Sequence, residues 1–205
     1  MKISPTLTEV KEIAKTGKYD ILPVSCEILS DFITPIEAMR ILQNVSTHCY
    51  LLESAQANEA WGRYTFLGYD PKLEINCIDG HMKLGKLSVE TDNPSEYIRQ
   101  ILSEYKSPKF DYLPSFTGGL VGYFSYDYLG YKEKSIRGKA RDTEDFKDDD
   151  LMLFDKVIAF DNLCQKIILI ANMSLDAPET GYNKAIVELK QLRELLMHGE
   201  KKQNM

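Results

Sequence analysis

Hydrophobic positions along this chain change period repeatedly, and each change marks an element. Val10, Ile13 and Ala14 share one face of a helix over Thr8–Ala14, with Thr8 as its cap and Gly17 just past its end. Tyr19–Leu29 (YDILPVSCEIL) is extended, and Pro23 within it marks an edge or a bend, because proline has no N–H to give a ladder. Thr34-Pro35-Ile36-Glu37 joins a capping threonine, a first-turn proline and a glutamate three residues on, so it opens a helix to about Gln43 with Ile36, Met39 and Leu42 inward. His48–Ser54 reads as a buried strand ending in two polar residues, and Trp61–Gly68 alternates as the next strand. Leu73–Ile78 and Met82–Val89 flank Asp79-Gly80, a favoured two-residue hairpin turn.

Asn93-Pro94-Ser95-Glu96 repeats the helix-start pattern, and Tyr97, Ile98, Ile101, Leu102 and Tyr105 form a stripe behind it. Phe116–Asp127 (FTGGLVGYFSYD) sets Gly118, Gly119 and Gly122 among four aromatic rings, which predicts a kinked strand passing close to another backbone with rings on both faces. Lys132–Asp150 is charged and reads as a solvated excursion. Leu151–Phe160 and Lys166–Ala171 are apolar strands around Asp161-Asn162, a second hairpin. A last helix over Glu179–Met197 presents Ala185, Ile186, Leu189, Leu192 and Leu196. Hairpin-linked strands with interspersed helices predict an α+β fold with largely antiparallel sheet, not a doubly wound one.

Composition narrows the function classes. The 205 residues are one domain or part of a larger one, with 43% hydrophobic and 27% charged residues, close to a globular average. A net charge of −6 argues against a nucleic-acid or acidic-membrane surface. The four cysteines and three histidines show no ligand spacing, so metal binding by this chain is not expected. No apolar run follows the first residues or reaches bilayer length, so neither a signal peptide nor a membrane span is expected, and cytoplasmic placement is the default.

Candidate chemistry is sparse. Glu53 and Ser54 close an apolar strand with a carboxylate and a hydroxyl, which suit the ammonium and carboxylate of an amino acid. The plainer reading is a strand end whose polar residues cap the next loop. Arg63, between Trp61-Gly62 and Tyr64, can fork a carboxylate or stack on a ring, or it can lie on the wet face of its strand. Asp127 has no partner base or acid nearby in sequence, and Asp148-Asp149-Asp150 lacks the alternating ligands of a calcium loop and reads as solvated. The glycines of Phe116–Asp127 lack the Gly-Lys-Ser/Thr that phosphate binding needs. No catalytic constellation assembles.

Several motifs in order carry a resemblance. Leu51-Leu52-Glu53-Ser54, Gly62–Gly68 (GRYTFLG) followed by Asp70-Pro71, Phe116–Asp127, and Phe154–Asp161 (FDKVIAFD) resemble the N-terminal region of anthranilate synthase component I. Pro23-Val24 and Asp31–Glu37 (DFITPIE) also fit, and the resemblance runs from about Tyr19 to Leu196. It implies that residues 1–205 are the regulatory half of an interleaved two-sheet fold, with glycines that let the sheets approach. The chorismate-binding half would be absent. The parent subunit would convert chorismate and ammonia, with Mg2+, to anthranilate and pyruvate, taking ammonia from a glutamine amidotransferase subunit. This chain alone would hold no catalytic residue, metal or cofactor. Its ligand would be the feedback inhibitor L-tryptophan, with Ser54 as the leading contact, Glu53 beside it and Arg63 as a further one. Two alternatives stay open: the N-terminal half of aminodeoxychorismate synthase component I, and a stand-alone amino-acid-binding module.

Overall fold

The computed structural model describes residues 1–53, 62–133, 135 and 146–202. In chain order these form β1 (Ile3–Ser4), α1 (Leu7–Lys15), β2 (Ile21–Leu29), α2 (Pro35–Val45), β3 (Cys49–Leu52), β4 (Tyr64–Tyr69), β5 (Leu73–Ile78), β6 (His81–Leu84), β7 (Leu87–Glu90), α3 (Pro94–Ser103) and β8 (Gly119–Phe124). A 3-10 helix (Tyr126–Tyr131), β9 (Asp149–Phe154), β10 (Lys156–Asp161), β11 (Lys166–Ser174) and α4 (Pro178–His198) follow. The fold is α+β, with two antiparallel sheets and packed helices, as the patterning predicts.

The first compact unit comprises Met1–Asp70, Tyr105–Gly118 and Phe154–Met205. Its six strands run β1-β2-β11-β10-β4-β3. Alternation sends Leu22, Val24, Leu169, Ile158 and Leu67 to one face, where Val10 of α1, Ile41 and Leu42 of α2 and Leu189 and Leu192 of α4 cover them. Each such fully buried aliphatic side chain contributes about 1.5–3 kcal/mol relative to exposure. Val157, Ala159, Ile168 and Ile170 point to the opposite face and pack with Phe110, Leu113 and Phe116. Pro23 sits beyond the reach of β1, which pairs only with Ser25 and Cys26, so no ladder N–H is missed there.

Two helix details differ from expectation. The cap of α1 is Thr6, not Thr8: Glu9 Oε2 accepts from Thr6 N at 2.7 Å and completes a capping box, so the helix starts at Leu7. Thr34 and Glu37 form the expected box at α2. However, α2 buries Ala38, Ile41 and Leu42, while Ile36 is exposed. Ile36 precedes Leu42 by six residues, about 240° around a helix, and so faces away.

The second unit comprises Pro71–Glu104 and Gly119–Leu153, with strands in the order β7-β6-β5-β9-β8. Ile75, Cys77, Met82, Leu151, Ile98 and Tyr131 form its core. Asp79 and Gly80 both take positive φ and join Ile78 to His81, the expected two-residue turn. Met82–Val89 is not one strand. Gly85, at φ +59°, turns the chain between β6 and β7. Leu151–Phe160 is likewise divided, since β9 and β10 belong to different sheets and part at Asp155. Asn93 makes no side-chain cap bond to α3, and Leu102 is exposed.

Gly122 makes the expected close approach, but within its own sheet. An alanine Cβ there would lie 1.9 Å from the Asp150 carbonyl oxygen of β9. The rings beyond it are not packed on both faces, for Phe124 and Tyr126 are exposed. Nor is the acidic run solvated: Asp148 and Asp149 are buried, because β9 begins there and period-2 alternation puts Asp149 on the Leu151 face.

Candidate functional site

Glu53 and Arg63 lie at the same end of the β3–β4 pair. The register sets Leu51 opposite Leu67 and Leu52 opposite Phe66, so the chain leaves β3 at Glu53 where β4 begins after Arg63. Glu53 is exposed, and Ser54 lies outside the described residues. β3 is the edge of its sheet and Leu52 is exposed, so it is not the buried strand its composition predicts. Only Tyr50 is buried along it.

Tyr50 explains why Gly68 stands opposite it. The ring lies across Gly68, where a Cβ would come 2.2 Å from Tyr50 Cε1. It also meets Phe154 edge-on at a centroid distance of 4.7 Å. Phe116 joins Tyr50 and Phe66 at 6.4 and 5.6 Å. The Tyr50 hydroxyl is buried without a hydrogen-bond partner among the described residues, and burial makes the phenol harder to ionise.

Arg63 is committed to a carboxylate of its own chain. Its Nε donates to Asp161 Oδ1 at 3.1 Å and its Nη2 to Asp161 Oδ2 at 2.7 Å, a two-pronged pair. Asp161 is 4% exposed and Arg63 38%, so one partner is buried and the other half-wet. The Arg63 fork, against the opposing effect of burial, holds the Asp161 carboxyl below its ordinary value. Leu163 N and Cys164 N also donate to Asp161 Oδ1, each at 3.1 Å. Asn162 N donates to Arg63 O at 2.9 Å, and the Arg63 guanidinium sits 4.9 Å from the Tyr64 ring centre. The start of β4 is thereby fastened to the β10–β11 turn.

The Asp161-Asn162 pair predicts a turn residue at Asp161, whereas the side chain is buried in β10. Its alternation with Ala159 and Val157, both buried on one face, was the available signal. Asp127 lies exposed in the first turn of the 3-10 helix, with no base or acid bonded to it among the described residues. A concavity of about 450 Å³ lined by Glu9, Glu12, Ile13, Phe110 and Tyr112 includes neither Glu53 nor Arg63. Among the described residues no group of three or more His, Cys, Asp or Glu side chains is placed to hold a metal ion.

No family model matches the chain. Individual relatives do. An anthranilate synthase component 1 from Acetivibrio thermocellus is 34% identical over 198 residues, which are 94% of this chain and 39% of that protein. The Pseudomonas aeruginosa component 1 is 34% identical over 197 residues, again 39% of its length. A probable component 1 from Schizosaccharomyces pombe is 30% identical across 96% of this chain. Among solved structures, anthranilate synthase component I from Streptococcus pneumoniae TIGR4 superposes with a TM-score of 0.51 at 26% identity, over 81% of this chain and 36% of that one. The chain thus spans about two-fifths of the length of the curated relatives it matches. It is homologous to anthranilate synthase component 1 over roughly the N-terminal 40% of those proteins.

Proposed function

We propose that this chain is the tryptophan-sensing N-terminal half of an anthranilate synthase component I. The observation that carries the reading is similarity along 94% of the chain to a component 1 protein. The parent subunit would convert chorismate and ammonia to anthranilate and pyruvate in the cytoplasm, with ammonia delivered by a glutamine amidotransferase subunit. Chorismate contacts and Mg2+ are assigned to the portion of the relatives that this chain does not span. The described residues offer no group of three or more His, Cys, Asp or Glu side chains that could hold a metal ion. No described helix is long and apolar enough to cross a membrane, and all four cysteines are free.

L-Tryptophan is assigned to the loop end of β3 and β4. The exposed Glu53 carboxylate would take the ligand ammonium, and the Ser54 hydroxyl would bond its carboxylate. Arg63, with Nε and Nη2 turned to Asp161, would approach the ligand carboxylate through Nη1. Bound tryptophan would favour a state that binds chorismate poorly. Such couplings are typically about 1–3 kcal/mol.

The test is anthranilate formation by the native polypeptide, followed by product fluorescence over a range of L-tryptophan. Ser54→Phe is expected to raise the inhibitory concentration at least about tenfold while turnover stays intact, the size of a lost coupling of about 1.4 kcal/mol. A variant that remains fully sensitive overturns the assignment of Ser54. A fluorescent product other than anthranilate overturns the enzyme reading.

A further inference from the structure

Asp149 is the energetic anomaly of the five-stranded unit. Its residue exposure is 0%, and neither carboxylate oxygen has a hydrogen-bond partner among the described residues. An ionised carboxylate buried in that condition is costly, since no hydrogen bond from the described residues replaces the hydration it loses.

The surrounding groups are already engaged. On its own strand, Asp148 Oδ2 accepts from Tyr131 Oη at 2.5 Å and from Asp79 N at 2.8 Å. Asp150 is held by Lys147 Nζ at 2.8 Å. From β5, Cys77 stands opposite Asp149 in the ladder, and burial pushes its thiol up. From the 3-10 helix, Tyr131 also accepts from Gly80 N, and Tyr128 bonds Ser95 of α3 at 2.9 Å. Glu96 and Arg99 on α3 and Tyr123 on β8 make no hydrogen bond to Asp149. The nearest formal charges, Asp148 and Asp150, have the same sign as an ionised Asp149.

We infer that in mildly acidic solution Asp149 is held as a neutral carboxylic acid in the folded five-stranded unit, and that its proton is taken up as that unit folds, making the unit's stability proton-linked. Burial first, then the charges of Asp148 and Asp150, raise its pKa from 3.8 to about 6. The folded state therefore binds this proton more tightly than the unfolded one. Stability from this group is complete below pH 4, falls as pH rises towards 6, and is level above that. A difference of about two units lowers the folded-to-unfolded ratio roughly a hundredfold between pH 4 and pH 7.

Urea unfolding of the full 205-residue chain and of Asp149→Asn, followed by circular dichroism from pH 4.5 to 7.5, reads this directly. Asparagine keeps the shape and removes the ionisation. The variant is expected to exceed the wild type in folded-to-unfolded ratio by roughly a hundredfold at pH 7, shrinking to less than about tenfold at pH 4.5. Labelling of Cys77, resolved by peptide mapping, localises the effect: at pH 7 it should be slower in the variant, with Cys26 unchanged. The wild-type chain gives a second readout that does not depend on how the variant folds. The Asp149 carboxyl carbon should titrate by NMR with a midpoint near 6. A midpoint at or below the ordinary 3.8, or a variant advantage that is the same at both pH values, overturns the inference.

Discussion

Replacing Gly122 with alanine tests the packing of β8 on β9 at a single atom. The added Cβ would lie 1.9 Å from the Asp150 carbonyl oxygen and 2.9 Å from Leu151 Cα, both backbone atoms that cannot rotate aside. Ordinary contact begins at 3.4 Å, so β8 would have to retreat by about 1.5 Å, enough to break ladder bonds. Gly122 also holds φ at +156°, which costs a residue with a Cβ about 1–3 kcal/mol. With one or two ladder bonds lost at about 1 kcal/mol each, the total is about 2–5 kcal/mol. Gly17 is the matched control: its φ is +61°, but nothing lies within 4 Å of the built Cβ. Gly17→Ala should therefore cost only about 1–2 kcal/mol. Urea unfolding of both variants checks the contrast. If Gly122→Ala destabilises no more than Gly17→Ala, the close approach of the two strands is wrong.

Other substitutions probe other contacts. Gly68→Ala drives a Cβ into the Tyr50 ring, which Phe154 blocks from retreating, and should cost about 1–3 kcal/mol and lower Tm; an unchanged Tm would contradict that packing. Tyr131→Phe removes the donor to Asp148 and the acceptor of Gly80 N together, so thermal unfolding should show a loss of about 2–3 kcal/mol. Arg63→Gln leaves Asp161 buried without its fork. Because Arg63 is half-wet, the expected loss at pH 7 is about 1–2 kcal/mol. Asp161 has a lowered folded pKa, so this stabilisation is present above the ordinary carboxylate range and is lost as pH falls through the folded value. The acid limb of a pH–stability curve should accordingly be shallower in Arg63→Gln than in the wild type.

Local chemistry was legible where it stands in a few adjacent residues. Thr34-Pro35-Ile36-Glu37 announces α2 because cap, proline and glutamate act within one turn, and Asp79-Gly80 announces its hairpin for the same reason. Leu189, Leu192 and Leu196 reveal the inner face of α4 through their spacing. What stayed hidden depends on which sheet a strand joins. Leu151–Phe160 is one apolar run to the eye, yet its halves pair with β5 and with β11, and Asp155-Lys156 is the polar break where they part. Asp148 and Asp149 look solvated beside their charged neighbours, and only the alternation through Leu151 and Leu153 places Asp149 inward. For the candidate site, motif order disclosed the family, whereas Asp161 as the partner of Arg63 is 98 residues away and follows from strand pairing alone. Glu53 is exposed as a strand-end residue should be, and Ser54 lies outside the described residues.

Tryptophan bound by this region is proposed to oppose chorismate binding. Equilibrium dialysis of labelled L-tryptophan against the native polypeptide, with and without saturating chorismate, measures that claim without relying on turnover. The account predicts one saturable site per chain, weakened by Ser54→Phe. It also predicts that chorismate lowers tryptophan affinity by the same factor, about 5–150-fold, by which tryptophan lowers that of chorismate. Absence of saturable binding, or a tryptophan affinity indifferent to chorismate, would contradict it.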